Sequence, residues 1–309
     1  MKERPDVGMS GGLGMPTKSR VVFLAGMGRS GSTLLERLLG ETAVMVPLGE
    51  VLHVWQRGVV DNDLCGCGQP FRECEFWSAV GDGAFGGWGA LDVDRIRELR
   101  SRVDRALKVP LLARSTLSDE MATAVSEYSG YYAALYAAAI EVSGKSVVID
   151  SSKQVSLPFC LSWSDRLDLK VLHCVRDSRA VVHAWTKIMP RPEARDPNAS
   201  MPTYSPAAMC AYWTLHNAEI DLLGKRNVQH LRVRYEDLVT DPTGVLGAVL
   251  DFLGLSTPLP FLRGHTVELN PRIPGLATAC VSSPVQLRSC LTMTGSAIFP
   301  RLIAASLPR

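Results

Sequence analysis

An arginine and several hydroxyl residues set between glycines, directly after a run of apolar β-formers, can bind an anion. Val21-Val22-Phe23-Leu24-Ala25 leads into Gly26-Met27-Gly28-Arg29-Ser30-Gly31-Ser32-Thr33-Leu34-Leu35. The order reads as a buried strand, a tight glycine turn and the first turn of a helix. Such a turn aims backbone N–H groups and the positive end of a helix dipole at one point, which suits phosphate above other anions. The spacing Gly26-x4-Gly31 nearly reproduces the nucleotide-binding P-loop, but the position of its lysine holds Ser32. A kinase needs that lysine on the β- and γ-phosphates, beside a magnesium ion. Here the cation is Arg29, inside the loop. The sequence therefore predicts the loop without the triphosphate chemistry.

Four further groups have types suited to transfer chemistry. Glu50, after Gly49, offers a carboxylate that could accept a proton. His53, three residues on, shares its face if this turn is helical. Lys153 ends Ile149-Asp150-Ser151-Ser152-Lys153 and could neutralise charge developing on a leaving group. Arg176 opens Arg176-Asp177-Ser178-Arg179-Ala180-Val181, and a guanidinium fork donates two hydrogen bonds to one phosphate. The plainer alternatives are a solvated lysine, a helix-start carboxylate beside a surface imidazole, and a helix start capped by Asp177. Cys65-Gly66-Cys67 with Cys74 offers three thiols, but neither their spacing nor a second cysteine pair matches a structural zinc site. Free or paired thiols in a folded loop are expected there rather than a metal, with zinc completed by a fourth group as the lesser alternative.

In this order the segments resemble sulfotransferases that use 3′-phosphoadenosine 5′-phosphosulfate (PAPS), in the branch of bacterial, carbohydrate and tyrosylprotein enzymes. The resemblance runs from about residue 21 to 275. It implies that Gly28, Arg29, Ser30, Gly31, Ser32 and Thr33 hold the 5′-phosphosulfate, with Arg29 also assisting transfer. It implies that Lys153 lies near the bridging oxygen and that Arg176 with Arg272 grips the 3′-phosphate. Gly49-Glu50 stands where carboxylate-using members carry Gly-Glu, so Glu50 is the preferred base. His53 is second, since the histidine of cytosolic aryl sulfotransferases lies in a different segment. The cysteine loop, followed by Phe76-Trp77, resembles one in many bacterial members. Tyr235-Glu236-Asp237-Leu238 and the Trp213/Asn217 pair also recur in relatives, with structural roles. His265 and Asn270-Pro271-Arg272 resemble the loop that closes over the 3′-phosphate and adenine. Two positions depart from the pattern. Ala184 replaces a serine eight residues after Arg176, with Thr186 or Lys187 as substitutes, and Leu269 replaces a glycine.

These residues need elements that bring them together. Apolar or β-branched runs at 21–27, 43–47, 146–150, 169–175 and 228–233 read as strands. Helical periodicity covers 92–108, 119–142, the segment from Arg176 to about Lys187, and 204–223. Residues 61–74 read as loop, and 189–203, with four prolines, as a mobile loop. Strands separated by helices predict an α/β fold with a P-loop-type central parallel sheet flanked by helices, in which ligands bind at the carboxyl ends of strands. The expectation is one domain, residues 20–309, with helical insertions at 85–142, preceded by a disordered lead-in at 1–19. A net charge of +2 excludes a global field for nucleic acid, and no run of 18 apolar residues suggests a membrane span. Without a secretory signal, and with eight cysteines in so long a chain, a cytoplasmic enzyme is expected. The acceptor hydroxyl could belong to a glycan, lipid, phenol or natural product; no motif selects among them or sets an oligomeric state. The competing readings are a P-loop small-molecule kinase and a catalytically weak PAPS-binding protein.

Overall fold

The structure, a computed structural model, describes residues 18–191, 193–196, 198–263, 266–267 and 285–286. The apolar stretch after Lys18 forms β1 (Ser19–Ala25), followed by α1 (Ser32–Gly40) and β2 (Met45–Pro47). Helices α2 (Glu75–Phe85), α3 (Val93–Val103), α4 (Val109–Leu112) and α5 (Asp119–Ser143) then intervene before β3 (Val147–Lys153). The chain continues through α6 (Leu157–Leu161), β4 (Leu167–Val175), α7 (Ser178–Trp185) and α8 (Pro206–Ile220). It then forms β5 (His230–Arg234), α9 (Tyr235–Thr240) and α10 (Pro242–Leu253). Strands β1 to β5 make one all-parallel sheet in the order β2-β3-β1-β4-β5. This is the α/β architecture that the strand and helix alternation predicts. Three two-residue strands, Leu262–Arg263, Thr266–Val267 and Val285–Gln286, form a separate antiparallel sheet.

Alternation along β1 divides the core. Val21, Phe23 and Ala25 face a layer containing the buried tyrosines of α5, whereas Val22 and Leu24 face the leucines of α1 and α10. Both faces are covered, which is why these strands read as continuous apolar runs. Because every strand is parallel, all five carboxyl ends lie along one edge. The register pairs Ala25 with Lys153 and with His173, so the ends of β3 and β4 flank the start of the glycine turn. A bulge in β3 opposite Leu24 leaves Lys153 in the left-handed region, at φ 63°. That backbone is uncommon for a lysine and marks a position held by its surroundings.

Several element boundaries differ from the sequence expectation. The helical reading of 92–108 ends at Val103, after which Asp104 is buried and held by Ser156 and Tyr128. An unexpected π-helix occupies Val54–Val60 and presents Trp55 to the α5 tyrosines. The expected loop at 61–74 ends in a short 3-10 turn, Phe71–Glu73. The described residues of 189–203, a stretch expected to be mobile, are tied down. Met201 N–H donates to Met189 O at 2.7 Å, Arg191 pairs with Asp63 at 3.0 Å, and Leu64 N–H donates to Glu193 O at 2.8 Å. Two charges that look solvated in the sequence are thus spent on clamping this loop. Among the described residues no helix is long and apolar enough to cross a membrane.

Candidate active site

The glycine turn leaves β1 through Gly26 and enters α1 at Gly31, whose φ of 87° is left-handed. A side chain at Gly31 would also strike the ring of Tyr235. No side chain caps α1, so its first N–H groups point into the turn. Ser30 is 2% exposed and its hydroxyl has no hydrogen-bond partner among the described residues. An uncapped helix start beside a buried, unpartnered hydroxyl fits an anion in the turn. Trp185 holds the loop from outside: its indole N–H donates to Gly28 O at 3.0 Å and its ring lies 5.2 Å from the Arg29 guanidinium. The sequence reading missed Trp185. Its signal was a large aromatic at the end of the helix that Arg176 opens.

Arg176 leaves β4 beside this turn. Its guanidinium donates to Arg29 O at 3.2 Å and stacks 4.3 Å over the Tyr235 ring. Among the described residues it has no carboxylate partner, unlike Arg179, which pairs with Asp177, and Arg234, which reaches Asp237 at 3.4 Å. Asp177 caps α7 as expected, and its backbone N–H donates to Glu236 at 2.9 Å. Trp213 donates to Arg176 O at 3.2 Å, and Asn217 bridges Trp213 O and His173. The Tyr-Glu-Asp segment and the Trp213/Asn217 pair therefore position the arginine turn. Arg176, Ser178, Arg179, Arg234, Trp213 and Glu236 line a cavity of about 440 Å³. Arg234 is a further cation here, recognisable only as the last residue of a strand. Ala184 lies half-buried in the last turn of α7, and the Thr186 hydroxyl turns back to His183 O at 2.9 Å. Arg272, His265 and Leu269 lie outside the described residues.

The two central candidates meet. Lys153 Nζ is 2.5 Å from Glu50 Oε1 and donates also to Ser151 O at 3.0 Å. His53 Nε2 lies 3.3 Å from Glu50 Oε2, because Val51–His53 is one turn of 3-10 helix with Glu50 at its start. Burial would raise the Glu50 pKa, but the Lys153 ammonium and then His53 outweigh it and hold the carboxylate well below its usual range. Burial pushes His53 down, with Glu50 opposing. The Glu50 side chain keeps 36% of its surface exposed, so it is open on one side.

A second carboxylate, unremarked in the sequence, sets this pair in place. Glu36 on α1 is 1% exposed; it accepts Gly49 N–H at 2.8 Å and the Ser151 hydroxyl at 2.6 Å. Burial raises its pKa to about 7, against the pull of Ser151 and Lys153. It thus ties the residue before Glu50 to the strand that ends in Lys153. The signal was an acidic residue among the buried leucines Leu35, Leu38 and Leu39. Behind it, Tyr136 donates to Asp150 at 2.6 Å and the Ser152 hydroxyl oxygen accepts Leu52 N–H at 2.9 Å, fixing the end of β3 against the Glu50 turn.

The sequence profile of the Sulfotransferase family matches residues 21–259, which spans every described part of this site. The chain belongs to the sulfotransferase family. It is similar to the sulfotransferase domain from the Synechococcus PCC 7002 olefin synthase, at 25% identity over 78% of this chain and 74% of that one, with a TM-score of 0.40. The sulfotransferase domain from the curacin biosynthetic pathway matches at 19% identity over 78% and 75%, with a TM-score of 0.41. Sulfotransferase STF9 from Mycobacterium avium matches at 13% identity over 78% and 65%, also at 0.41. No curated protein matches the chain. Family membership makes this sulfotransferase a transferase enzyme and leaves the kinase reading, already weakened by Ser32, without support.

Proposed function

We propose that this sulfotransferase moves a sulfuryl group from PAPS to a hydroxyl acceptor, with Glu50 as general base. The observation that carries this reading is the 2.5 Å contact between Lys153 and Glu50 at the mouth of the glycine turn. Residues Gly28 to Thr33 receive the 5′-phosphosulfate, through the α1 N–H groups, the Ser30 hydroxyl and Arg29. Arg176, without a carboxylate partner among the described residues, receives the 3′-phosphate, joined by Arg272. The acceptor oxygen attacks sulfur while the bond from sulfur to the phosphate oxygen breaks. The acceptor proton passes to Glu50, and Lys153 meets the charge growing on the departing phosphate.

One ammonium serves both ends of this transfer. In the resting pair Lys153 holds Glu50 ionised but makes it a weak base. As negative charge grows on the leaving oxygen, the ammonium is drawn toward it, and the carboxylate regains basicity when it must take the proton. His53 orients the second carboxylate oxygen. The transfer uses no metal, because arginine and lysine supply the charge that magnesium supplies in kinases. Among the described residues Cys160, Cys174 and Cys210 form no disulfide, which suits a reducing, cytoplasmic setting. The tied loop 189–201 and the α2–α5 insertion flank Glu50 and select the acceptor, a small molecule or glycan.

Thermal denaturation with nucleotides tests the donor. 3′-Phosphoadenosine 5′-phosphate should raise Tm, and ATP at equal concentration should raise it much less, since a ligand of the folded state stabilises it. Equal stabilisation by ATP would overturn the reading.

A further inference from the structure

Three thiols that the sequence spaces unevenly converge in space. The sulfurs of Cys65, Cys67 and Cys74 all lie within 4.8 Å of one another. A tetrahedral zinc ion with Zn–S bonds of about 2.3 Å holds its sulfurs about 3.8 Å apart. Closing around such an ion thus needs a contraction of an ångström or less. Among the described residues no other histidine, cysteine or carboxylate joins the group.

The backbone around these sulfurs is already folded. Cys65 N–H donates to Gln69 O and Gly68 N–H to Cys65 O, both at 2.8 Å, and Leu64 bridges Pro70 across the base of the turn. Gly68 supplies the left-handed residue, at φ 87°. Cys74 comes from the other side, as the residue that caps the start of α2. Cys65 and Cys74 are buried, and Phe71 between them packs against Trp77 and Trp88.

We propose that Cys65, Cys67 and Cys74 form a three-thiolate zinc site, with solvent as the fourth ligand, that clamps the 61–74 loop to the start of α2. Its role is structural, and what it holds bears on the site. Two residues before Cys65, Asp63 pairs with Arg191 and accepts the Arg195 N–H. The clamp therefore steadies the anchor of the 189–201 loop. This is a different place from the transfer centre, and its chemistry is separate from sulfuryl transfer.

Metal analysis of the whole protein tests the proposal. The chain, purified under reductant with zinc in the buffer and then dialysed, should retain about one zinc per chain, held by its three thiolates. Cys67→Ser, at the exposed ligand, should lose most of it while circular dichroism stays unchanged; Cys210→Ser, far along the chain, should keep it. Cobalt exchanged for zinc should give thiolate-to-cobalt absorption that Cys67→Ser abolishes. Protein without zinc under these conditions, zinc that survives Cys67→Ser, or a Cys65–Cys74 disulfide in peptide mapping of the reduced preparation would each overturn it. None of these results touches the donor reading, which the nucleotide melts test on their own.

Discussion

The two sides of this site are built in different ways. On the proposed reading the donor side is mostly one piece of chain: β1, the glycine turn and the start of α1 deliver Arg29, Ser30 and the helix N–H groups within a few residues. The acceptor side is assembled from distant segments. Glu50 follows β2, Lys153 ends β3, Glu36 comes from α1, and the loops after β2 and after α7 are tied to each other by Leu64, Asp63, Arg191 and Glu193. The contrast teaches where robustness lies. The donor turn depends on local backbone conformation, whereas the acceptor side depends on buried hydrogen bonds between carboxylates and strand ends. Arg29 joins the two halves, since the charges of Glu50 and Glu193 oppose the effect of its burial.

The sharpest way to separate the halves is at Glu50. Glu50→Gln keeps the shape but cannot take a proton, so turnover should fall about 10²–10⁴-fold. Binding of 3′-phosphoadenosine 5′-phosphate should barely change, because the donor does not meet this group. His53→Asn should cost less; if it abolishes turnover while Glu50→Gln retains it, the roles are reversed. On the donor side, Arg176→Ala should weaken nucleotide binding by about 2–4 kcal/mol, the scale of a lost charge-assisted contact. Unchanged affinity by calorimetry would assign the 3′-phosphate to another group, with Arg234 the nearest candidate.

Backbone dependence predicts the next effect. Gly31→Ala places a side chain against Tyr235 at a left-handed position, so Tm should drop and donor affinity with it, by about 1–3 kcal/mol. An unaltered melt would show that the turn relaxes at no cost. A smaller effect concerns pH. The folded protein raises the Glu36 pKa from 4.5 to about 7, so between these values the folded state holds a proton that the unfolded chain has lost. This contribution to stability is complete below 4.5 and disappears as pH rises through 7. Glu36→Gln mimics the protonated form and should flatten the fall of Tm across that window. Part of the slope should persist, because burial also raises Asp150 to about 6. An identical slope in both proteins would remove Glu36 from the account. Smallest of all, Ala184→Ser should leave nucleotide affinity unchanged or slightly tighter by calorimetry; a marked loss would mean that the pocket is packed against this methyl group.

Legibility in the sequence followed the same division. The glycine turn, the strand ends carrying Lys153 and Arg176, and the Gly49-Glu50 step were readable because each is a contiguous signal set by β-propensity, glycine and helix starts. Glu36 was not, since a glutamate on a helix says nothing about burial until Gly49 and Ser151 are seen to bond it. Tyr128, Tyr132 and Tyr136 lie in the segment 119–142, which reads only as helical. Yet their hydroxyls run from Asp104 to Asp150, so a polar row lies inside the core. The 189–201 loop read as mobile from its prolines, because its partners Arg57, Asp63 and Leu64 lie more than a hundred residues away.

By itself the sequence determined the parallel α/β sheet, the glycine turn between β1 and α1, and which side chains stand at strand carboxyl ends, because these rest on periodicity and local backbone preference. Tertiary structure alone decided that Lys153 touches Glu50, that Glu36 braces them, and that three unevenly spaced cysteines meet. Those outcomes depend on the order β2-β3-β1-β4-β5 and on long-range burial. Which strands become neighbours is a property of the whole fold, and the electrostatics of each carboxylate follows from what the fold packs around it.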